Sequence, residues 1–70
     1  MLLTIRQERI NNDWTLDFVA QKIGLTKTAI HDIETGKQQP SYKVLVKLED
    51  LFKMSHRHLF APADETPNSQ

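Results

Sequence analysis

Thr26, Lys27, Thr28 and His31 put four hydrogen-bonding side chains within six residues. On a helix, Lys27, Thr28 and His31 stand at i, i+1 and i+4 and crowd towards one side. A lysine can donate to guanine O6 and N7, and a threonine can donate, accept or touch a thymine methyl. A histidine can donate to a base acceptor or to a phosphate. Taken alone, the set describes a solvated helix face as readily as one that reads nucleic acid. Thr15 opens another helix, where free N–H groups and the helix dipole favour an anion such as a phosphate. Asp32 works against such an anion, since its useful base partner is a cytosine amino group. It is expected to turn aside and pair with a nearby lysine. His56 and His58 are one residue apart, which on a helix separates their faces and argues against a shared metal. No His-Glu-x-x-His, phosphate loop, or nucleophile with its base occurs. The expectation is no enzyme, no metal, no cofactor and no small-molecule substrate.

These side chains need elements to hold them. Two glycines, Gly24 and Gly36, and three prolines, Pro40, Pro62 and Pro67, divide the chain. The segments between them carry helical apolar spacing and no useful strand alternation, so the fold class is all-α with short helices. The first helix is expected at about 2–11, with Leu2, Ile5, Arg9 and Ile10 on adjacent faces and Asn11-Asn12-Asp13 as its stop. Thr15 caps a second at about 16–23, with Val19, Ala20 and Ile23 inward. Gly24 ends it and Leu25 is a buried peg. Thr26 caps a third at about 27–35, with Ile30 and Ile33 inward and Gly36 closing it. Ser41 caps a fourth at about 42–53, on Leu45, Leu48, Leu51 and Phe52. Ser55 caps a last short helix ending in Leu59-Phe60. No cap has Glu or Gln three residues on, so no full capping box is present. The short turn around Gly24 is a helix-turn-helix arrangement, in which Ala20 permits a close crossing and Gly24 supplies a positive φ.

Composition narrows the classes further. Seventy residues make one small domain, read as 1–60 followed by a disordered tail or linker stub over 61–70. Nine Lys and Arg balance nine Asp and Glu, which excludes a strongly basic coat for nucleic acid and an acidic solvating protein. Setting aside Asp64 and Glu65, residues 1–60 hold nine basic against seven acidic side chains, a balance of +2. The absence of cysteine excludes disulfides and thiolate zinc, and is compatible with a cytoplasmic setting. No apolar run is long enough for a signal peptide or a membrane span.

The stretch from Thr15 to Thr26, with Ile30-His31-Asp32-Ile33-Glu34-Thr35-Gly36-Lys37 and Pro40-Ser41, resembles the phage repressor and Cro-type helix-turn-helix family, also called the xenobiotic-response-element family. Ile5-Arg6-Gln7-Glu8-Arg9 resembles its opening helix, and Leu45 to Phe60 its closing helices. The resemblance covers about residues 2–60. It implies a compact bundle of about five short helices and a sequence-specific regulator that binds double-stranded operator DNA, most often as a homodimer. The third helix, about 27–35, would then be the recognition helix in the major groove. Thr26, Lys27, Thr28 and His31 become base contacts. Lys37, Gln38, Gln39, Tyr42 and Lys43 match the family segment that lies along the DNA backbone, joining Thr15 as phosphate contacts. Arg9 and Glu34 match a partly buried structural ion pair.

Three residues depart from the pattern. Leu16 replaces a frequent Gln that reaches a phosphate. Phe18 stands where a polar residue is usual and is expected to fold against Trp14, itself read as a lid on the core. An exposed Phe18 would instead favour a partner surface. With the neutral charge, Leu16 and Asp32, that gives the alternative reading: a helix-turn-helix protein-interaction module, antitoxin-like or an adaptor, with weak or no DNA binding. A dimer surface is expected on the last two helices, around Val44, Val46, Met54 and Leu59.

Overall fold

Hydroxyl side chains start four of the five helices. Thr15, Thr26, Ser41 and Ser55 each accept a hydrogen bond from the backbone N–H three residues on, at Phe18, Ala29, Val44 and His58. Such a cap satisfies one of the free N–H groups at a helix start and is worth about 1 kcal/mol. The computed structural model describes residues 2–63 of the 70. Its helices are α1 (Thr4–Asn11), α2 (Leu16–Ile23), α3 (Lys27–Glu34), α4 (Tyr42–Phe52) and α5 (His56–Leu59). Among the described residues there is no strand longer than a single bridge.

That bridge corrects the start of α1. Leu2 and Leu3 are not helical: Leu3 pairs antiparallel with Pro62. Thr4 N–H donates to Ala61 O (2.8 Å), and Ala63 N–H donates to Leu2 O (3.0 Å). Proline lacks an N–H, so it fits this ladder only at a position that needs no donor. Of the segment 61–70, residues 61–63 are thus tied to the first residues of the chain. Residues 64–70 lie outside the described residues.

The core is built from one stripe of each helix: Ile5, Val19, Ala20, Ile23, Ile30, Leu48, Phe52 and Leu59, with Leu3 beside them. Trp14, Leu16, Phe18, Leu25, Val44, Leu51, Met54 and Phe60 close over it, partly buried. The outer residues of the first stripe, Leu2 and Ile10, are exposed. Leu59 is fully buried and is therefore core, not dimer surface. Val44 and Met54 are half covered, which leaves Val46 and Tyr42 as the exposed large apolar side chains of α4. Burying a leucine is worth about 1.5–3 kcal/mol, enough to hold a helix as short as α5 that would not persist alone.

α2 and α3 are joined through Gly24, at φ +88°, whose N–H donates to Ala20 O (2.8 Å). The nearest atom to a Cβ placed there would be Lys47 Nζ at 4.0 Å. Backbone conformation, not space, is therefore what demands glycine. The same lysine donates to Ile23 O (3.3 Å), satisfying a carbonyl at the end of α2. α3 ends one residue earlier than its spacing suggests. Thr35 leaves the helix, and Gly36 takes the left-handed conformation at φ +81°.

Candidate nucleic-acid interface

α3 is two-faced by sequence. Ile30, Ile33 and Glu34 are buried, whereas Thr26, Lys27, Thr28 and His31 are exposed. The exposed set sits at the start and along one side of the helix. Thr26 Oγ1 accepts from Ala29 N–H (3.1 Å), which leaves its O–H free to donate outward. Thr15 is arranged alike, with Oγ1 accepting from Phe18 N–H (3.0 Å). Thr15 and Lys27 meet across a shallow hollow, with Asp17 and Gln21 of α2 on its wall.

Gln21 and Asp17 are the residues that sequence reasoning missed. They stand four apart on α2 and so share a side, beside the capping Thr15. Gln21 adds an uncharged donor and acceptor to this face. Asp17 adds a negative charge, so the outward face is less positive than its lysines alone suggest.

The end of α3 is fixed by a buried pair. Arg9 Nε is 2.7 Å and Nη2 3.3 Å from the Glu34 carboxylate, a two-pronged contact, and Arg9 Nη1 donates to Trp14 O (2.8 Å). The side chains are 12% and 2% exposed. Glu34 O also accepts from Leu3 N–H (3.0 Å), so α1 and its leading residues grip α3 at two points.

Beyond α3, Asp32 O accepts from Lys37 N–H (2.8 Å), Gln38 N–H (3.2 Å) and the Thr35 hydroxyl (3.2 Å). This folds the loop back on the helix and leaves Lys37, Gln38 and Gln39 exposed. Tyr42, 80% exposed, and Lys43 follow on the first turn of α4. The carboxylate of Asp32 does not pair with lysine as its sequence context suggests; it lies 3.7 Å from His31 Nδ1.

Phe18 packs on Trp14 at 5.2 Å between ring centres, and Trp14 in turn meets Phe52 edge-on at 5.2 Å. Lys22 Nζ lies 5.5 Å above the Phe18 ring, which draws that lysine towards α2. Leu16 is partly buried against the core. His56 Nδ1 is 2.7 Å from Glu49 and His58 Nε2 is 3.3 Å from Glu8, so the two histidines engage different helices. His56 holds the Glu49 carboxyl below its ordinary value, first through the side-chain hydrogen bond and then through the His56 backbone N–H. Among the described residues no cluster of His, Asp and Glu is arranged to hold a metal. No helix there is long and apolar enough to cross a membrane.

The helix-turn-helix family profile matches residues 5–59. A crystal structure of a hypothetical transcription factor, NHTF, from Neisseria is similar in fold, with a TM-score of 0.73 at 20% identity over 91% of this chain and 72% of that one. No curated protein matches the sequence. With its five helices in order, the glycine turn between α2 and α3, and the profile spanning all of this, the chain belongs to the XRE/Cro-C1 type helix-turn-helix family of DNA-binding transcription regulators.

Proposed function

We propose that the chain binds a specific double-stranded operator by laying α3 in the major groove, and so regulates transcription in the cytoplasm of a bacterial cell. Thr26, Lys27, Thr28 and His31 contact base edges. Thr15 holds a phosphate on one side, and Lys37, Gln38, Gln39, Tyr42 and Lys43 hold the backbone on the other. The observation that carries this reading is α3 itself: its first turn is polar and exposed, while Ile30, Ile33 and the Glu34–Arg9 pair fix its inner face. A recognition helix needs a rigid back and a free leading edge. One domain makes few contacts, so a homodimer on a two-fold operator is proposed, with α3 helices about 34–36 Å apart.

The competing reading is a protein-interaction module, and it drew on an exposed Phe18. That ring instead lies against Trp14. The exposed Tyr42 and Val46 and the charge of Asp17 are what still favour it. Selection of bound sequences from a random duplex pool tests the proposal. The expected result is an enriched motif with two-fold symmetry and a spacing near one helical turn. A pool that stays random at low salt, with no duplex shifting the amide signals of α3, would refute it.

A further inference from the structure

A second hollow, of about 330 Å³, lies beneath residues 36–40. Ligand sites commonly measure about 300–1,000 Å³. Ile33 from the end of α3, Leu45 from α4 and Phe60 after α5 make its apolar wall. Gln38, Gln39 and His56 supply polar groups. Ile33 is 1% exposed, and it borders the floor of this hollow. No Lys, Arg, Asp or Glu side chain among the described residues lines it. The ionisable group that does, His56, has its Nδ1 taken up by Glu49, which leaves Nε2 as the free ring nitrogen. The Glu49 carboxylate behind that ring disfavours an anion.

We propose that this hollow is a binding site for a small uncharged ring compound with hydrogen-bonding groups on one edge. The ring sits against Phe60 and Leu45, which are partly exposed and offer aromatic and aliphatic contact. Its polar edge meets the two glutamine amides and His56 Nε2. A charged compound finds no counter-charge to replace its water. The volume suits one small molecule and is too small for a partner helix. Gln38 and Gln39, which line it, are also proposed phosphate contacts. Occupancy would therefore change how that loop meets a duplex, and this second consequence rests on the duplex-binding reading.

The test is a titration of the isotope-labelled chain with indole, an uncharged ring with one N–H donor, without DNA. Saturable shifts are expected at Gly36, Gln38, Gln39, Leu45 and His56, and not around Thr15 and Lys27. Benzoate, of similar size but charged, should bind about tenfold more weakly. Leu45→Trp should fill the hollow and abolish the indole response with a dispersed spectrum retained. If that variant fails to fold, Gln38→Ala with Gln39→Ala, at exposed positions, should weaken indole several-fold. Shifts that never saturate, that spread evenly over the surface, or that are equal for benzoate would overturn the site. So would movement of the same signals on dilution of the protein alone, which would assign the hollow to a side chain of a second copy. Repeating the titration on a selected duplex reads the coupling separately. Absence of duplex binding would remove the coupling and leave the indole result standing.

Discussion

A carboxylate that is 2% exposed keeps its charge only if its partners replace the water it has lost. Glu34 has them in the two prongs of Arg9, and Arg9 uses its third nitrogen, Nη1, to donate to Trp14 O. Removing one side of such a pair typically costs about 3–5 kcal/mol, because the other charge stays buried. Glu34→Gln should therefore lower the urea midpoint strongly with little change in its slope. A midpoint within error of the original would show that the pair is not carrying this part of the fold. Lys27 belongs to the opposite case: it is exposed and has no ion-pair partner among the described residues. Lys27→Ala should leave stability alone and cost about 1–3 kcal/mol on the preferred operator if it meets a guanine. Equal binding by both forms would take it off the base-reading list. The polar edge of α3 was legible from residue types and spacing. Asp32 was not, since its carboxylate turns to the adjacent His31 rather than to a lysine, and Gln21 was not, since its place follows from lining the same hollow as Lys27 across the turn.

At the scale of elements, α5 is held by what its neighbours offer. Leu59 is buried, His58 reaches Glu8 on α1, and Glu49 on α4 accepts from both the ring and the backbone N–H of His56. Glu49 is held below its ordinary value near 4.5. Its contribution is therefore complete above that value and is lost as the pH falls through the lower, folded-state one. Thermal melts should show Glu49→Gln less stable than the parent at neutral pH, with the gap closing in acid. A gap that stays constant across the acid range would rule this out. The loop after α3 makes its own prediction. Lys37→Ala should weaken binding to every duplex by a similar factor and reduce the salt slope by about one. An effect confined to one operator would assign Lys37 to base reading instead. Most elements could be read beforehand because their starts are local chemistry: a hydroxyl and the N–H three residues on. α1 could not, because its first residues answer to Pro62, about sixty residues away in sequence, and no local pattern encodes that partner.

For the whole molecule, nine positive and nine negative side chains cancel, so any attraction to DNA must come from how they are distributed. Lys22 is drawn over Phe18 and Lys47 is bound to the end of α2, which leaves Lys27, Lys37 and Lys43 as the cations of the proposed surface. The two lysines assigned to phosphates, Lys37 and Lys43, give a slope of log affinity against log salt of about −1.8 for one domain, and a two-fold dimer would give about −3.6. The measured slope thus separates the two assemblies, and affinity insensitive to salt would argue for the interaction module instead.

The pairing of Leu3 with Pro62 has a bearing on engineering. Ala63 and Leu2 share a hydrogen bond of 3.0 Å, so a linker of a few residues could join them without crossing the body of the protein. A ring closed there could be opened at another surface turn, giving a rearranged gene order that folds to the same bundle. Leu2 and Ala63 thus lie at the same pole of the molecule, and a reporter joined at either would emerge there.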